Sequence, residues 1–120
     1  MKTLALAVLF GAVLSAFGQT SHSKQNGPDC SGGWPTDMTF VTMKNAGLVS
    51  NKDFDFTKTT TVRIASQKIA NNLWHQVYAV RFVKKSGQIV EAIAVHDASV
   101  EECSMTGVEV YAVSSHLKSD

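Results

Sequence analysis

From Thr59 to Ser114 the chain alternates residue by residue, and this period of two constrains the fold more than any other feature. In an extended strand successive side chains point to opposite faces. Thr59 to Ile69 is rich in β-branched residues, with Val62, Ile64 and Ser66 on one face and Thr61, Arg63 and Ala65 on the other. Leu73 to Val83 interleaves Leu73, Val77, Ala79 and Val83 with Trp74, Tyr78, Val80 and Phe82. Gln88 to Val95 forms a third strand. In the fourth, Val108 to Ser114, Val108, Val110 and Ala112 alternate with Glu109, Tyr111 and Val113. Asn71-Asn72 tolerates the left-handed backbone of a tight turn, and Lys84-Lys85-Ser86-Gly87 has a glycine where a hairpin needs positive φ. Short connections of this kind join antiparallel neighbours, so the expected sheet is a four-stranded meander.

The stretch before the sheet has a different character. Pro35, with Thr36 or Asp37 behind it, is a helix start, and Gly47 is a natural stop. Phe40, Met43 and Leu48 recur at helical spacing between them, widened by Met38 and Val41. Thr39, Val41 and Thr42 lower helix propensity, and Met38, Phe40 and Thr42 also alternate, so a strand competes with a helix over 36–46. The helix is the reading adopted here. One helix followed by four strands predicts an α+β fold with the helix packed on one sheet face. Between helix and sheet, Phe54 and Phe56 alternate with Asp53 and Asp55, as in a strand or loop anchored at the core edge.

The first eighteen residues read as a secretory signal: Lys2, an apolar run from Leu4 to Leu14, then Ala16 and Gly18 at the positions a signal peptidase inspects. The run is too short to span a membrane comfortably, and no second apolar segment follows it. Residues 19–33 contain no aliphatic or aromatic side chain and read as a flexible arm that ends at Cys30 and its neighbours, with His22 solvated. Residues 34–120 form a single domain, and His116 near its end is expected in solvent. Removing 1–18 takes away one cation, Lys2, and leaves ten Lys plus Arg against ten Asp plus Glu. That balance lacks the basic footprint of a nucleic-acid binder. The two cysteines, Cys30 and Cys103, are an even count in a chain expected outside the cytoplasm, so they are expected to pair. Such a bridge closes a loop of about 74 residues and is worth about 4–5 kcal/mol as an upper figure.

Chemistry-bearing residues gather between His96 and Met105: His96, Asp97, Ser99, Glu101, Glu102 and Ser104 around Cys103. A metal reading would use His96, Asp97 and a glutamate. A hydrolytic reading would need Ser99 or Ser104 activated by His96 and oriented by Asp97. Neighbouring residues of an extended segment point apart, and no Gly-x-Ser-x-Gly elbow is present. The simpler reading is a capped turn in which Asp97 and Ser99 satisfy backbone N–H groups. No catalytic residue, metal or other cofactor is therefore assigned. On the second strand His75 shares a face with Leu73 and Val77, and Arg81 on the same face can pair with Glu91 across the hairpin.

Trp34, Trp74, Tyr78 and Tyr111 are of the residue types that anchor interfaces, and equally cores. Residues 77–83 and 89–95 are apolar on both faces, so the sheet face away from the helix is expected to be partly hydrophobic and to mark a partner or dimer surface. The expected surface carries Trp74, Tyr78 and Tyr111, joined by His96, Asp97 and Glu101 of the neighbouring loop.

Ser86-Gly87, Asp97-Ala98-Ser99 and the run Glu101-Glu102-Cys103-Ser104-Met105, followed by Gly107-Val108 and Val110-Tyr111, give the segment Trp74–Leu117 a recognisable pattern. It resembles small exported proteins of unknown function from Burkholderia-like Gram-negative bacteria. The resemblance implies a periplasmic or secreted, disulfide-bearing protein and carries over no catalytic residue. The expectation is an exported binding module that recognises another protein or an envelope component, in the manner of an inhibitor or immunity factor. The alternatives are a small metal-dependent hydrolase of the His96–Glu102 loop and a homodimeric envelope protein.

Overall fold

Four antiparallel strands, β1 (Thr60–Ala70), β2 (Leu73–Val83), β3 (Ile89–Ala98) and β4 (Glu109–Val113), form one sheet in the order β1-β2-β3-β4. One helix, α1 (Trp34–Asn45), precedes them and packs on one side of the sheet, against β2, β3 and β4. The structure, a computed structural model, describes residues 26–114, 117 and 119. The signal segment 1–18, the first part of the arm with His22, and His116 lie outside the described residues. Among the described residues no helix is long and apolar enough to cross a membrane.

The turns follow the residues that permit them. Asn72 takes φ +51° between β1 and β2. The β2–β3 hairpin closes through Gly87 at φ +91°, with the Gly87 N–H donating to the Lys84 carbonyl at 2.8 Å and the Lys84 N–H to the Gln88 carbonyl at 2.8 Å. β3 runs three residues beyond the predicted end, so His96, Asp97 and Ala98 are strand residues, paired with Gln76, His75 and Trp74.

The helix lies close to where the sequence put it, and Phe40 and Met43 of the expected stripe face the core, but Thr36 and Thr39 complete that face in place of Val41 and Leu48. Its buried residues are Pro35, Thr36, Thr39 and Met43, whereas Val41 is exposed. Two threonines can face a core because their hydroxyls are satisfied locally. Thr39 Oγ1 donates to the Pro35 carbonyl at 2.5 Å, and Thr36 Oγ1 shares a hydrogen bond with Thr61 Oγ1 at 2.6 Å. Two 3-10 turns, Asn51–Asp53 and Phe56–Lys58, follow the helix. They fold Phe54 into the core, where Phe40, Phe54 and Phe82 meet edge to face at centroid distances of 5.3–6.2 Å, while Phe56 caps Phe40 from outside at 4.9 Å.

Cys30 and Cys103 form a disulfide with a Cα–Cα distance of 5.9 Å. It fastens the end of the arm to the β3–β4 loop. The arm is held from Asn26 onward, earlier than its composition suggests. The Pro28 carbonyl accepts from the Arg63 guanidinium at 2.7 Å and from Gln76 Nε2 at 2.7 Å, and Gly27 is buried against the Trp74 ring. An apolar side chain is not needed for this, because the ordering comes from backbone carbonyls that satisfy buried donors.

Candidate functional site

Residues paired across antiparallel strands project to the same side of a sheet. The register therefore fixes two faces. The face under α1 carries Trp74, Gln76, Tyr78, Val80 and Phe82 of β2 and Ala92, Ala94, His96 and Ala98 of β3, all buried. The opposite face carries His75, Val77, Ala79 and Arg81 of β2, and Glu91, Ile93, Val95 and Asp97 of β3. The flanking strands add Val62 and Tyr111 to the same side.

This second face is open. Val62 and Tyr111 are each 58% exposed, Val113 is exposed, and Ile93 and Val95 are half-buried. Its side chains form straight rows across the sheet: Ala65–Val77–Val95–Glu109, then Val62–Ala79–Ile93–Tyr111. A polar pair brackets this apolar band on each side. His75 Nδ1 meets Asp97 Oδ1 at 2.6 Å, and Arg81 Nε donates to Glu91 Oε1 at 3.3 Å, the cross-strand pair expected from alternation. Tyr111 OH donates to Glu109 Oε2 at 3.2 Å. Each charged group of these rows thus has a partner within the face itself. Two shallow grooves indent it. One, of about 300 Å³, lies along Val62, Ala79, Arg81, Ile93 and Val113; the other, of about 450 Å³, lies beside His75, Asp97, Thr106 and Glu109.

The predicted binding residues are divided between the two faces. Tyr111 is on the open face, as expected. Trp74 and Tyr78 are not: they point under the helix, at 4% and 0% exposure. The Tyr78 hydroxyl accepts from the Cys30 N–H at 2.9 Å and donates to Gln76 Oε1 at 2.7 Å, and Gln76 Nε2 passes the network on to the Pro28 carbonyl. Burial raises the Tyr78 phenol above its ordinary value, because ionisation would place a charge in the core. His96 belongs to the same buried layer. It is 2% exposed, lies 5.5 Å from the Tyr78 ring, and makes one contact through Nδ1, to the Asp97 carbonyl at 3.2 Å. Burial lowers its pKa, which keeps the ring neutral. Asp97 points the other way, to His75, and does not cap a backbone N–H; its own N–H is satisfied by Thr106 Oγ1 at 2.9 Å.

Glu101 stands apart from both. Its carboxylate accepts from Asn72 Nδ2 at 2.6 Å, which lowers its pKa and ties the loop to the β1–β2 turn. His96, Asp97 and Glu101 thus project to three different places, and among the described residues no group of three or more His, Cys, Asp and Glu side chains is placed to hold a metal ion. Ser99 caps the turn as predicted, its Oγ accepting from the Glu102 N–H at 3.1 Å. The apolar outer face expected from residues 77–83 and 89–95 is present, but sequence alone does not assign Val62, Ile93 and Val95 to it, because alternation within each strand does not say which set turns away from the helix. No family model, curated protein or solved structure matches the chain.

Proposed function

We propose that the protein is an exported, non-enzymatic binding module whose working surface is the open face of the sheet, and that this face docks onto a protein surface. The observation that carries this reading is the apolar band Val62–Ala79–Ile93–Tyr111, lying uncovered among the described residues between the His75–Asp97 and Arg81–Glu91 pairs. An apolar centre with a polar rim is the anatomy of protein–protein interfaces. The Cys30–Cys103 disulfide supports export to an oxidising compartment, periplasmic or extracellular, as does the signal-like segment 1–18.

The test is capture from envelope extract and culture supernatant with the disulfide-intact protein as bait. A stoichiometric protein partner, a different protein or a further copy of this chain, is expected with the native surface and is lost with Ile93→Glu, which puts a charge in the middle of the band. Capture that survives Ile93→Glu and Tyr111→Glu contradicts this face as the surface used.

A further inference from the structure

We infer that the occupant of the open face is a second copy of this chain, stacked about a two-fold axis that runs along the strands midway between β2 and β3. The inference rests on the reading that this face is a protein interface, and it follows from the register. Each β2–β3 pair on the face joins side chains that suit one another: His75 with Asp97, Arg81 with Glu91, and small Ala79 with large Ile93. The outer strands continue the row with Val62 and Tyr111. The stated axis carries every residue to the position above its own cross-strand partner. His75 then lies over Asp97 of the second copy, Arg81 over Glu91, Ala79 over Ile93, and Val62 over Tyr111. Opposite charges meet at Arg81 and Glu91, a hydrogen-bonding pair at His75 and Asp97, and unequal sizes at Ala79 and Ile93 and at Val62 and Tyr111, with Val77 over Val95 between them. A two-fold axis across the strands does the reverse, placing Asp97 over Glu91 and His75 over Arg81. An isologous interface requires a self-complementary surface, and only the first axis provides one.

The size is adequate. With β4 only five residues long, the four strands at the usual rise and spacing give a face of about 590 Å² per copy, so a stacked pair buries about 1,200 Å², at the lower edge of the range of specific interfaces. Sheets stacked this way cross at about 30°, which keeps the central rows in register and lets the corners diverge. Arg81 and Glu91 neutralise each other within each copy, Asp97 keeps its hydrogen bond to His75, and Glu109 at the edge of the face keeps that from the Tyr111 hydroxyl, so stacking strips none of them of a partner.

The experiment is sedimentation equilibrium on the purified, disulfide-intact protein, with Arg81→Glu and Glu91→Arg measured separately and mixed. Wild type is expected at twice the mass of one chain. Arg81→Glu sets Glu over Glu across the interface and Glu91→Arg sets Arg over Arg, so each variant alone self-associates about tenfold or more weakly. The mixture restores both opposite-charge contacts and forms a heterodimer. Thermal unfolding of each variant verifies that it is folded. A wild type that stays monomeric, or a mixture that does not associate while wild type dimerises, overturns the inference. If wild type is monomeric but still captures a different protein in an Ile93-dependent way, the second-copy assignment fails and the interface reading stands; if it captures nothing, both fail.

Discussion

The two faces of the sheet invert the usual distribution of polarity. Beneath the helix, in the driest part of the molecule, are Gln76, Thr39, His96 and the Tyr78 hydroxyl. On the face turned to solvent are Val62, Ile93, Tyr111 and Val113. The covered face tolerates its polar groups because nearly all are hydrogen-bonded, and the network they form holds the segment 26–30 in place. Among the described residues, nothing in the chain covers the apolar groups of the open face. Polarity inside is therefore structural here, and apolarity outside is what the proposed binding surface rests on.

Four expected outcomes would break or sharpen that contrast. The largest effect belongs to the staple on the covered side: Cys30→Ala with Cys103→Ala lowers unfolding free energy by about 4 kcal/mol in denaturant titration, since the bridge spans a separation of 73 residues. A loss below about 1 kcal/mol would mean that the arm holds without it. Next comes Tyr78→Phe, which strands the Cys30 N–H and Gln76 Oε1 and costs about 2 kcal/mol. A neutral result would show that the buried network is not what orders the arm.

The third effect depends on pH. The folded state resists protonation of His96 because the ring is buried, whereas the unfolded chain takes up the proton at about its ordinary value of 6.5. The unfolded state then binds more protons, so stability falls as pH drops through that value. Melting temperatures measured across this window should fall in wild type and fall less in His96→Phe. Equal slopes in the two proteins contradict the placement of His96. The smallest effect is on the open face. Val62→Thr changes the stability of the dilute protein by no more than about 0.5 kcal/mol, as for other exposed sites; a loss of several times that would mean that Val62 is covered.

Much of this was legible in the sequence. The period of two located all four strands, turn chemistry located both hairpins, and the parity of two cysteines gave the disulfide. Alternation also gave the Arg81–Glu91 pair. It could not sort Trp74 and Tyr78 from Tyr111, because alternation fixes which residues of one strand share a face, while the match between strands depends on register. Tyr111 aligns with Ile93 and Ala79, the odd-numbered set of β2 and β3, whereas Trp74 and Tyr78 belong to the even-numbered set. The helix stripe was legible at Phe40 and Met43 but not at Thr39, whose hydroxyl returns to the Pro35 carbonyl, so a polar residue sits at a core position at little cost. The arm escaped notice because its anchors are the backbone of Gly27 and Pro28, which have no hydrophobic signature. A side chain at Gly27 would place Cβ 2.6 Å from the Trp74 ring.

The chain has two tyrosines, one on each face, and this permits a direct test. Nitration of the folded protein, followed by peptide mapping over a range of protein concentrations, reports on both at once. Modification of Tyr111 alone is expected in dilute protein, with Tyr78 spared until the protein unfolds, and Tyr111 should become protected as concentration rises and the open face is covered. Nitration of Tyr78 at a comparable rate, or of Tyr111 at a rate independent of concentration, would contradict a sheet with one sealed face and one face built for association.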